Sequence, residues 1–350
     1  MVKSPFKFLD AYQKEDKAAF FGREKETNTL YDEIFKTNLM LIYGASGSGK
    51  TSLINCGLGN KYAETDWMAI SIRRRENIIE SIFRAIRAHA ETEIPQETPI
   101  RRAIHSLYLD TYLPIYLIFD QFEELFILGS PEEQHHFFQA LSEILQANLR
   151  CKVILSMREE YLAYLSDFEK QVPSLFDHRF RVERMSYTNI EEVIVSLTQY
   201  HEIELAEPGK TVGKIIDQLR SKQLGVDLTH LQVYLDRLYR KDYERKGGDA
   251  SPATPVIGFD VELIDQVGKV QDVLSEFLDE QLAEIDQKIG KPGAALAILF
   301  AFVSDNATNQ FVNVSEVINR IDAEKEITQA DIEFCLKEFE TKRILKPVNL

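Results

Sequence analysis

The run Gly44-Ala-Ser-Gly-Ser-Gly-Lys50-Thr51 packs glycines, a lysine and hydroxyls into eight residues directly after the apolar stretch Leu39–Tyr43. It fits G-x-x-x-x-G-K-[ST] in the strand–loop–helix setting which that pattern needs. Its glycines let backbone N–H groups converge on phosphate oxygens, and a helix opening at Thr51 adds a favourable dipole. Lys50 is placed to reach the β- and γ-phosphates of a nucleotide, and the Thr51 hydroxyl to ligate Mg²⁺. The expected nucleotide-binding residues here are Gly44, Ala45, Ser46, Gly47, Ser48, Gly49, Lys50, Thr51 and Ser52.

A second run, Tyr116-Leu-Ile-Phe-Asp120, is an apolar strand ending in a carboxylate, so Asp120 is expected to hold Mg²⁺ through water. Glu123 and Glu124 follow just past the strand tip. Either is placed to polarise an attacking water as a general base, or the two simply begin a solvated helix. A third strand, Val153-Ile-Leu-Ser-Met, ends at Arg158. In a parallel sheet ligands sit at the carboxyl ends of strands, which points Arg158 at the γ-phosphate; the plainer reading is a surface arginine paired with Glu159 or Glu160. Guanine specificity commonly uses N-K-x-D. Asn60-Lys61-Tyr62-Ala63 fails at its last position and lies too near the glycine-rich loop, so ATP is the expected nucleotide. Arg73-Arg74-Arg75 is read as a solvated loop, with an anionic ligand or a neighbouring protomer's nucleotide as the other reading. His135-His136 has no Cys or acidic partner at ligand spacing, so zinc is not expected.

The elements that must position these groups are legible in the hydrophobic periodicity. Leu39–Tyr43, Trp67–Ile72, Ile115–Phe119, Val153–Ser156 and Phe180–Val182 read as buried strands, separated by helical segments such as Ile78–Ala90 and Glu132–Asn148. This β/α alternation predicts an α/β fold, a parallel sheet with helices on both faces. The Trp67–Ile72 run between the two nucleotide motifs favours the class of P-loop proteins with an extra strand between the motif-bearing strands. Ile190–Tyr200, Val212–Ser221 and Leu231–Arg245 then predict a small helical region, and the Gly/Pro-rich stretch from Lys246 a linker. Val261–Ile289 reads as helical. Helices over Ala294–Ser304, Ser315–Ile321 and Thr328–Lys342, with a short Gln310–Asn313 piece and the strand-like Arg343–Val348, suggest a winged helix whose wing the chain stops short of. Thr328 and Asp331 have the spacing of a helix start. The expected organisation is residues 1–36 as an N-terminal segment, 37–186 as the P-loop NTPase core, 187–246 as a helical region, 247–259 as a linker and 260–350 as a helical segment with an incomplete winged helix.

Composition agrees with an ordinary globular protein. The 350 residues, at about 150 per domain, suggest two or three domains. A net charge of −15 argues against a general nucleic-acid binder, since such affinity comes from Lys and Arg neutralising phosphates. The final helix is itself acidic, with Asp331, Glu333, Glu338 and Glu340 against Lys337 and Lys342. Three scattered cysteines, Cys56, Cys151 and Cys335, make no disulfide framework and fit a reducing compartment. The N-terminal residues lack the apolar core of a signal peptide, and Ala294–Val303 is about half the length that crosses a bilayer, so a cytoplasmic protein without a membrane anchor is expected.

Phe20-Phe-Gly-Arg-Glu24, Asp120-Gln-Phe-Glu-Glu-Leu-Phe126 and Arg158 together resemble the STAND NTPases, signal-transduction ATPases related to NACHT proteins; the bacterial novel-STAND type also begins with a segment like Ser4-Pro-Phe-Lys-Phe-Leu-Asp-Ala-Tyr12. The resemblance spans Ser4 to Leu350. It implies that Phe21, Gly22 and Arg23 line the adenine and ribose pocket, that Arg158 is the sensor-1 arginine, that Ile190–Arg245 form the lid and that Ala294–Leu350 form the winged helix. Relatives place a Gly-(small)-Pro element against adenine, whereas Gly225-Val-Asp-Leu-Thr-His230-Leu has no proline, leaving His230 to fill that role. A late histidine that senses ADP in relatives falls beyond the end of this chain. What the resemblance implies is an ADP/ATP switch with slow hydrolysis, homo-oligomeric when active, coupled to an unknown trigger and effector, in prokaryotic antiviral defence or regulated cell death. The alternative is an AAA+ or origin-recognition-like ATPase that remodels nucleic acid.

Overall fold

The computed structural model describes residues 4–63, 65–220, 225–248, 255–302, 317, 320–321, 327–341 and 344–345. The chain divides into two compact units, Met1–Val267 and Gly268–Leu350.

The first unit is built on five parallel strands, β1 (Leu39–Gly44), β2 (Met68–Ile72), β3 (Ile115–Phe119), β4 (Cys151–Arg158) and β5 (Arg179–Arg181), in the spatial order β2-β3-β4-β1-β5. The sheet is apolar on both faces, as parallel strands covered by crossover helices must be. Along β1, Leu39 and Leu41 enter one core cluster while Met40 and Ile42 enter the other, all four at most 2% exposed. Helix α1 (Glu24–Ile34) covers the second cluster with Leu30 and Ile34, joined there by Leu53 and Ile54 from the chain that follows α2 (Lys50–Ser52). The first cluster is closed by α3 (Ile78–His89), α4 (Ile100–Thr111) and, past the short α5 (Glu124–Leu128), by α6 (Pro131–Gln146) with its buried Phe137, Phe138 and Leu141. Local chemistry starts these helices. Asn77 accepts from the N–H groups of Ile79 and Glu80, and Ser130 accepts from Glu133 with Pro131 in the first turn.

The predicted strands and their parallel arrangement are present, with β4 lying between β1 and β3. Helices α1 and α4 were not expected from periodicity. After the short α7 (Leu162–Leu165) and β5 come α8 (Tyr187–Tyr200), α9 (Pro208–Leu219), α10 (Leu228–Arg245) and α11 (Val261–Val267), joined by a two-stranded ribbon of β6 (Glu204–Leu205) and β7 (Gly258–Phe259). Val261–Ile289 is two helices and not one. Gly268 adopts φ +75°, a left-handed conformation that ends α11, and α12 (Val270–Ile289) begins beyond it.

In the second unit α12, α13 (Ala294–Phe300) and α14 (Gln329–Thr341) share a core of Leu282, Ile285, Ala295, Ile298, Ile332, Cys335 and Phe339. Asp331 accepts from the Thr328 N–H at 2.8 Å while its own N–H donates to the Thr328 hydroxyl, the reciprocal cap expected from the spacing. The Gln310–Asn313 piece, most of Ser315–Ile321, most of Arg343–Val348 and residues 249–254 of the linker lie outside the described residues. No helix among the described residues is long and apolar enough to cross a membrane.

The Arg73–Arg75 loop departs from its expected solvated character. Arg74 is buried, its guanidinium forking onto both Glu133 carboxylate oxygens at 2.9 and 2.8 Å, and it also donates to the carbonyls of Arg75 and Glu76. Glu133 in turn accepts from the Ile78 N–H at 2.7 Å. Only Arg75 is exposed together with Arg73. Removing one partner of a buried pair leaves a desolvated charge, so Arg74→Ala is expected to destabilise the first unit by about 3–5 kcal/mol. Urea unfolding followed by the fluorescence of the single tryptophan, Trp67, which stacks on Tyr62, measures this. A loss within the roughly 0–1 kcal/mol range of a solvated pair contradicts it.

Candidate functional site

All five strands run in one direction, so their carboxyl ends meet at one edge of the sheet, where open α/β sheets bind ligands. The register decides which groups become neighbours there. Gly44 lies opposite Arg158 in the β1–β4 ladder, and Ile72 opposite Phe119 in the β2–β3 ladder. The next residues, Arg73 and Asp120, are therefore side by side, with the Asp120 N–H donating to the Ile72 carbonyl at 3.1 Å.

Beyond Gly44 the glycine-rich loop turns through Gly47 (φ +71°) and Gly49 (φ +88°), conformations that a side chain would strain, before α2 begins at Lys50. Lys50 folds back over the loop, donating to the carbonyls of Gly44 and Ala45, each at 2.9 Å. Burial lowers the Lys50 pKa from its ordinary value, and the nearby Glu123 carboxylate works against that shift. The Thr51 hydroxyl is 3.1 and 3.2 Å from the two oxygens of Asp120. That carboxylate is 7% exposed and is also reached by the Ser156 hydroxyl at 3.4 Å and by Arg73 Nη2 at 3.0 Å.

Glu123 and Glu124 separate clearly. Glu123 is 5% exposed; one of its oxygens pairs with Arg158 Nε at 3.1 Å and the other accepts the Arg158 N–H at 3.2 Å. Glu124 opens α5 and is half-buried. The turn joining them to β3 is held by the Phe122 N–H on the Ser156 carbonyl and passes through Gln121 at φ +58°. Arg158 thus faces Glu123, while Glu159 pairs with Arg181. Lys50, Thr51, Asp120, Glu123 and Arg158 are gathered in this one network.

The residues assigned to the adenine side sit differently. Gly22 takes φ +78°, and a Cβ there would lie 2.6 Å from Val193. Phe21 meets Tyr200 edge-on. Arg23 is 3% exposed and turns inward, donating to the carbonyls of Ser48 and Glu183 at 2.8 Å and pairing with Glu26, so its guanidinium braces the loop from behind. Ser48 is fully buried. The Ser52 hydroxyl accepts from the Tyr12 N–H at 3.1 Å. His230 is half-buried in the first turn of α10.

Two connections were not anticipated from the sequence. The start of α10 rests on the glycine-rich loop, the Leu228 N–H donating to the Gly47 carbonyl at 3.1 Å and Asp227 lying against Gly47. Asp227 caps α10 through the Thr229 N–H and faces Arg184, which also reaches the Ser46 carbonyl. Its one sequence signal was an acid four residues before the helical pattern that starts at Leu231. The second connection is a strap: the Lys7 N–H donates to the Gln232 side chain of α10, which donates to the Tyr12 hydroxyl, whose pKa burial pushes up to about 12. Asn55 and Asn60 bind the strap from below, at Gln13 and Lys14.

A phosphate-cradling loop on β1, an acid at the end of β3 and an arginine-tipped strand between them define a P-loop NTPase of the class with an additional central strand. Solved structures of this fold include the Walker-type ATPase of Pyrococcus abyssi (TM-score 0.52, 15% identity, covering 95% of this chain and 92% of that one). The ADP form of the Aeropyrum pernix ORC2 protein is similar too (TM-score 0.56, 14% identity, 97% and 90% covered), as is the Aeropyrum pernix ORC1 protein in complex with DNA (TM-score 0.53, 15% identity, 93% and 85% covered). None of the curated proteins matches the chain. The family model described as Novel STAND NTPase 1 matches residues 5–347, and the chain belongs to that family.

The contact between the loop and the start of α10 gives a direct test. A Cβ on Gly47 would fall 2.1 Å from the Asp227 carboxylate. Gly47→Ala is expected to cost about 1–2 kcal/mol from the left-handed backbone alone, plus the clash. The clash component disappears in an Asp227→Ala background, so a double-mutant cycle by urea unfolding shows coupling of about 1 kcal/mol. Strict additivity would mean that Asp227 does not bear on the loop.

Proposed function

We propose that this protein is an ATP-binding, slowly hydrolysing switch in which the phosphate loop and the helical lid respond to each other. The observation that carries this reading is the Leu228–Gly47 hydrogen bond, which seats the start of α10 on the loop that would hold the phosphates. Phosphates bound in the loop alter the surface α10 rests on. The strap through Gln232 and Tyr12 ties the same helix to Ser52 at the end of α2. A ligand shifts such an equilibrium only by its differential affinity for the two states, so ATP and ADP must favour different lid positions.

In this reading Lys50 leaves the Gly44 and Ala45 carbonyls to pair with the β- and γ-phosphates. Glu123 is the general base: it is buried beside the site, lies close enough to Lys50 to influence its charge, and is oriented by Arg158 through two contacts. It takes a proton from water as the oxygen bonds to the γ-phosphorus and the bond to the β-bridging oxygen breaks, releasing ADP. Arg158, half-exposed at its tip, offsets charge on the γ-phosphoryl oxygens. The Thr51 hydroxyl and Asp120 carboxylate are hard oxygen donors whose oxygens lie 3.1 and 3.2 Å from each other, and together they would hold a Mg²⁺. A Mg²⁺ held by these residues would supply positive charge to offset that of the phosphates. Phe21, Gly22 and His230 are proposed for the base side, and Arg23 for bracing the loop. By family likeness the ATP state assembles as a homo-oligomer and engages an effector in prokaryotic defence or regulated cell death.

Denaturing the purified protein and identifying the released nucleotide chromatographically tests the switch: stoichiometric ADP is expected, and an empty site with brisk turnover argues against it. Lys50→Ala is expected to abolish nucleotide binding. Glu123→Gln should lower turnover at least about 100-fold, within the usual range for a general base, with binding retained. Glu124→Gln should leave turnover within about threefold, the scale of a surface change of half a kcal/mol; the reverse ranking would exchange their roles. The DNA-bound Aeropyrum neighbour supplies a second reading, nucleic-acid remodelling, which DNA-stimulated turnover with steep salt dependence would favour.

A further inference from the structure

The loop after β2 holds a cation on the acid that ends β3. Arg73 Nη2 is 3.0 Å from Asp120 Oδ2, and the Arg73 side chain is 40% exposed while Asp120 is nearly buried. This juxtaposition is built in twice. The β2–β3 register sets Ile72 beside Phe119, and the loop carrying Arg73 is clamped at its next residue by the buried Arg74–Glu133 fork. Asp120 already receives the Thr51 and Ser156 hydroxyls, so Arg73 supplies the one cationic contact among the described partners of this carboxylate.

We infer that Arg73 is a tethered cation that occupies the metal side of Asp120 and competes with Mg²⁺ for it. The inference rests on the nucleotide-site reading above. A guanidinium within hydrogen-bonding distance of a carboxylate oxygen cannot stay there when a divalent cation arrives at the same oxygens without strong like-charge repulsion at short range. Exposure gives Arg73 somewhere to go: its tip can swing off Asp120 into solvent or toward added phosphate charge, while its backbone stays fixed. Arg73 is thus a positioning residue. It neutralises a buried acid in the metal-free state and raises the Mg²⁺ concentration at which the site loads.

The test is the Mg²⁺ concentration giving half-maximal binding of a fluorescent, non-hydrolysable ATP analogue to the full chain, which reads binding and not turnover. Arg73→Gln is expected to lower that midpoint by about three- to fivefold, the size that a partly exposed ion pair supports. Arg73→Lys keeps the charge and should bring the midpoint back toward wild type. Arg75→Gln removes an equal charge two residues away, on an exposed side chain, and should leave the midpoint unchanged. An unchanged or higher midpoint in Arg73→Gln overturns the inference, because Arg73 would then be idle or would be helping Asp120 hold metal. An equal drop in Arg75→Gln overturns it too, since bulk electrostatics would account for the effect. If the wild type shows no saturable binding at any Mg²⁺ concentration, the nucleotide-site reading itself falls and the inference with it. Binding that is intact but insensitive to Arg73 sinks the inference alone.

Discussion

Parallel pairing of β1, β3 and β4 in a single register is the constraint on which the site depends. Gly44 opposite Arg158 and Phe119 opposite Leu155 bring the glycine-rich loop, the Asp120 turn and the arginine to one edge. A one-residue slip in any ladder would exchange the two faces, sending Leu39 and Leu41 toward the cluster now filled by Met40 and Ile42. Each such fully buried side chain contributes about 1.5–3 kcal/mol, so the packing on both faces holds the register far more strongly than any polar contact at the edge could.

At that edge the charges are nearly balanced, although the chain as a whole carries −15. Asp120 and Glu123 are the buried acids, and each has an arginine, Arg73 and Arg158 respectively, with Lys50 close by. Burying an ionised carboxylate without a partner is costly, and these pairs offset the cost while leaving the cations partly exposed and able to move. Under the proposed switch, these partly exposed cations are the groups that would turn to incoming phosphate charge.

Helix α10 and the N-terminal strap extend the same arrangement outward. Asp227 serves as helix cap, as partner of Arg184 and as neighbour of Gly47, so the start of α10 and the phosphate loop share their contacts. Gln232 and Tyr12 then connect α10 to Ser52 at the end of α2. In the proposed switch, these discrete hydrogen bonds are what would connect changes at the loop to α10.

The glycine-rich loop, the apolar strand ending at Asp120, the strand ending at Arg158 and the β/α alternation were all legible in the sequence, because each depends on residue types at short spacing. The Thr328–Asp331 cap was legible for the same reason. Other features were not. The Arg73–Arg75 run read as a solvated loop because local composition carries no trace of Glu133, nearly sixty residues on, or of the strand register that sets Arg73 against Asp120. Glu123 and Glu124 are equivalent by sequence; only the turn through Gln121 buries one against Arg158 and leaves the other at the start of α5. Sequence alone determined which chemistry this chain carries, through the local patterns of loop, strand and helix. Tertiary structure decided which side chains hold which, because pairing strands and docking a helix bring together residues that no spacing along the chain connects.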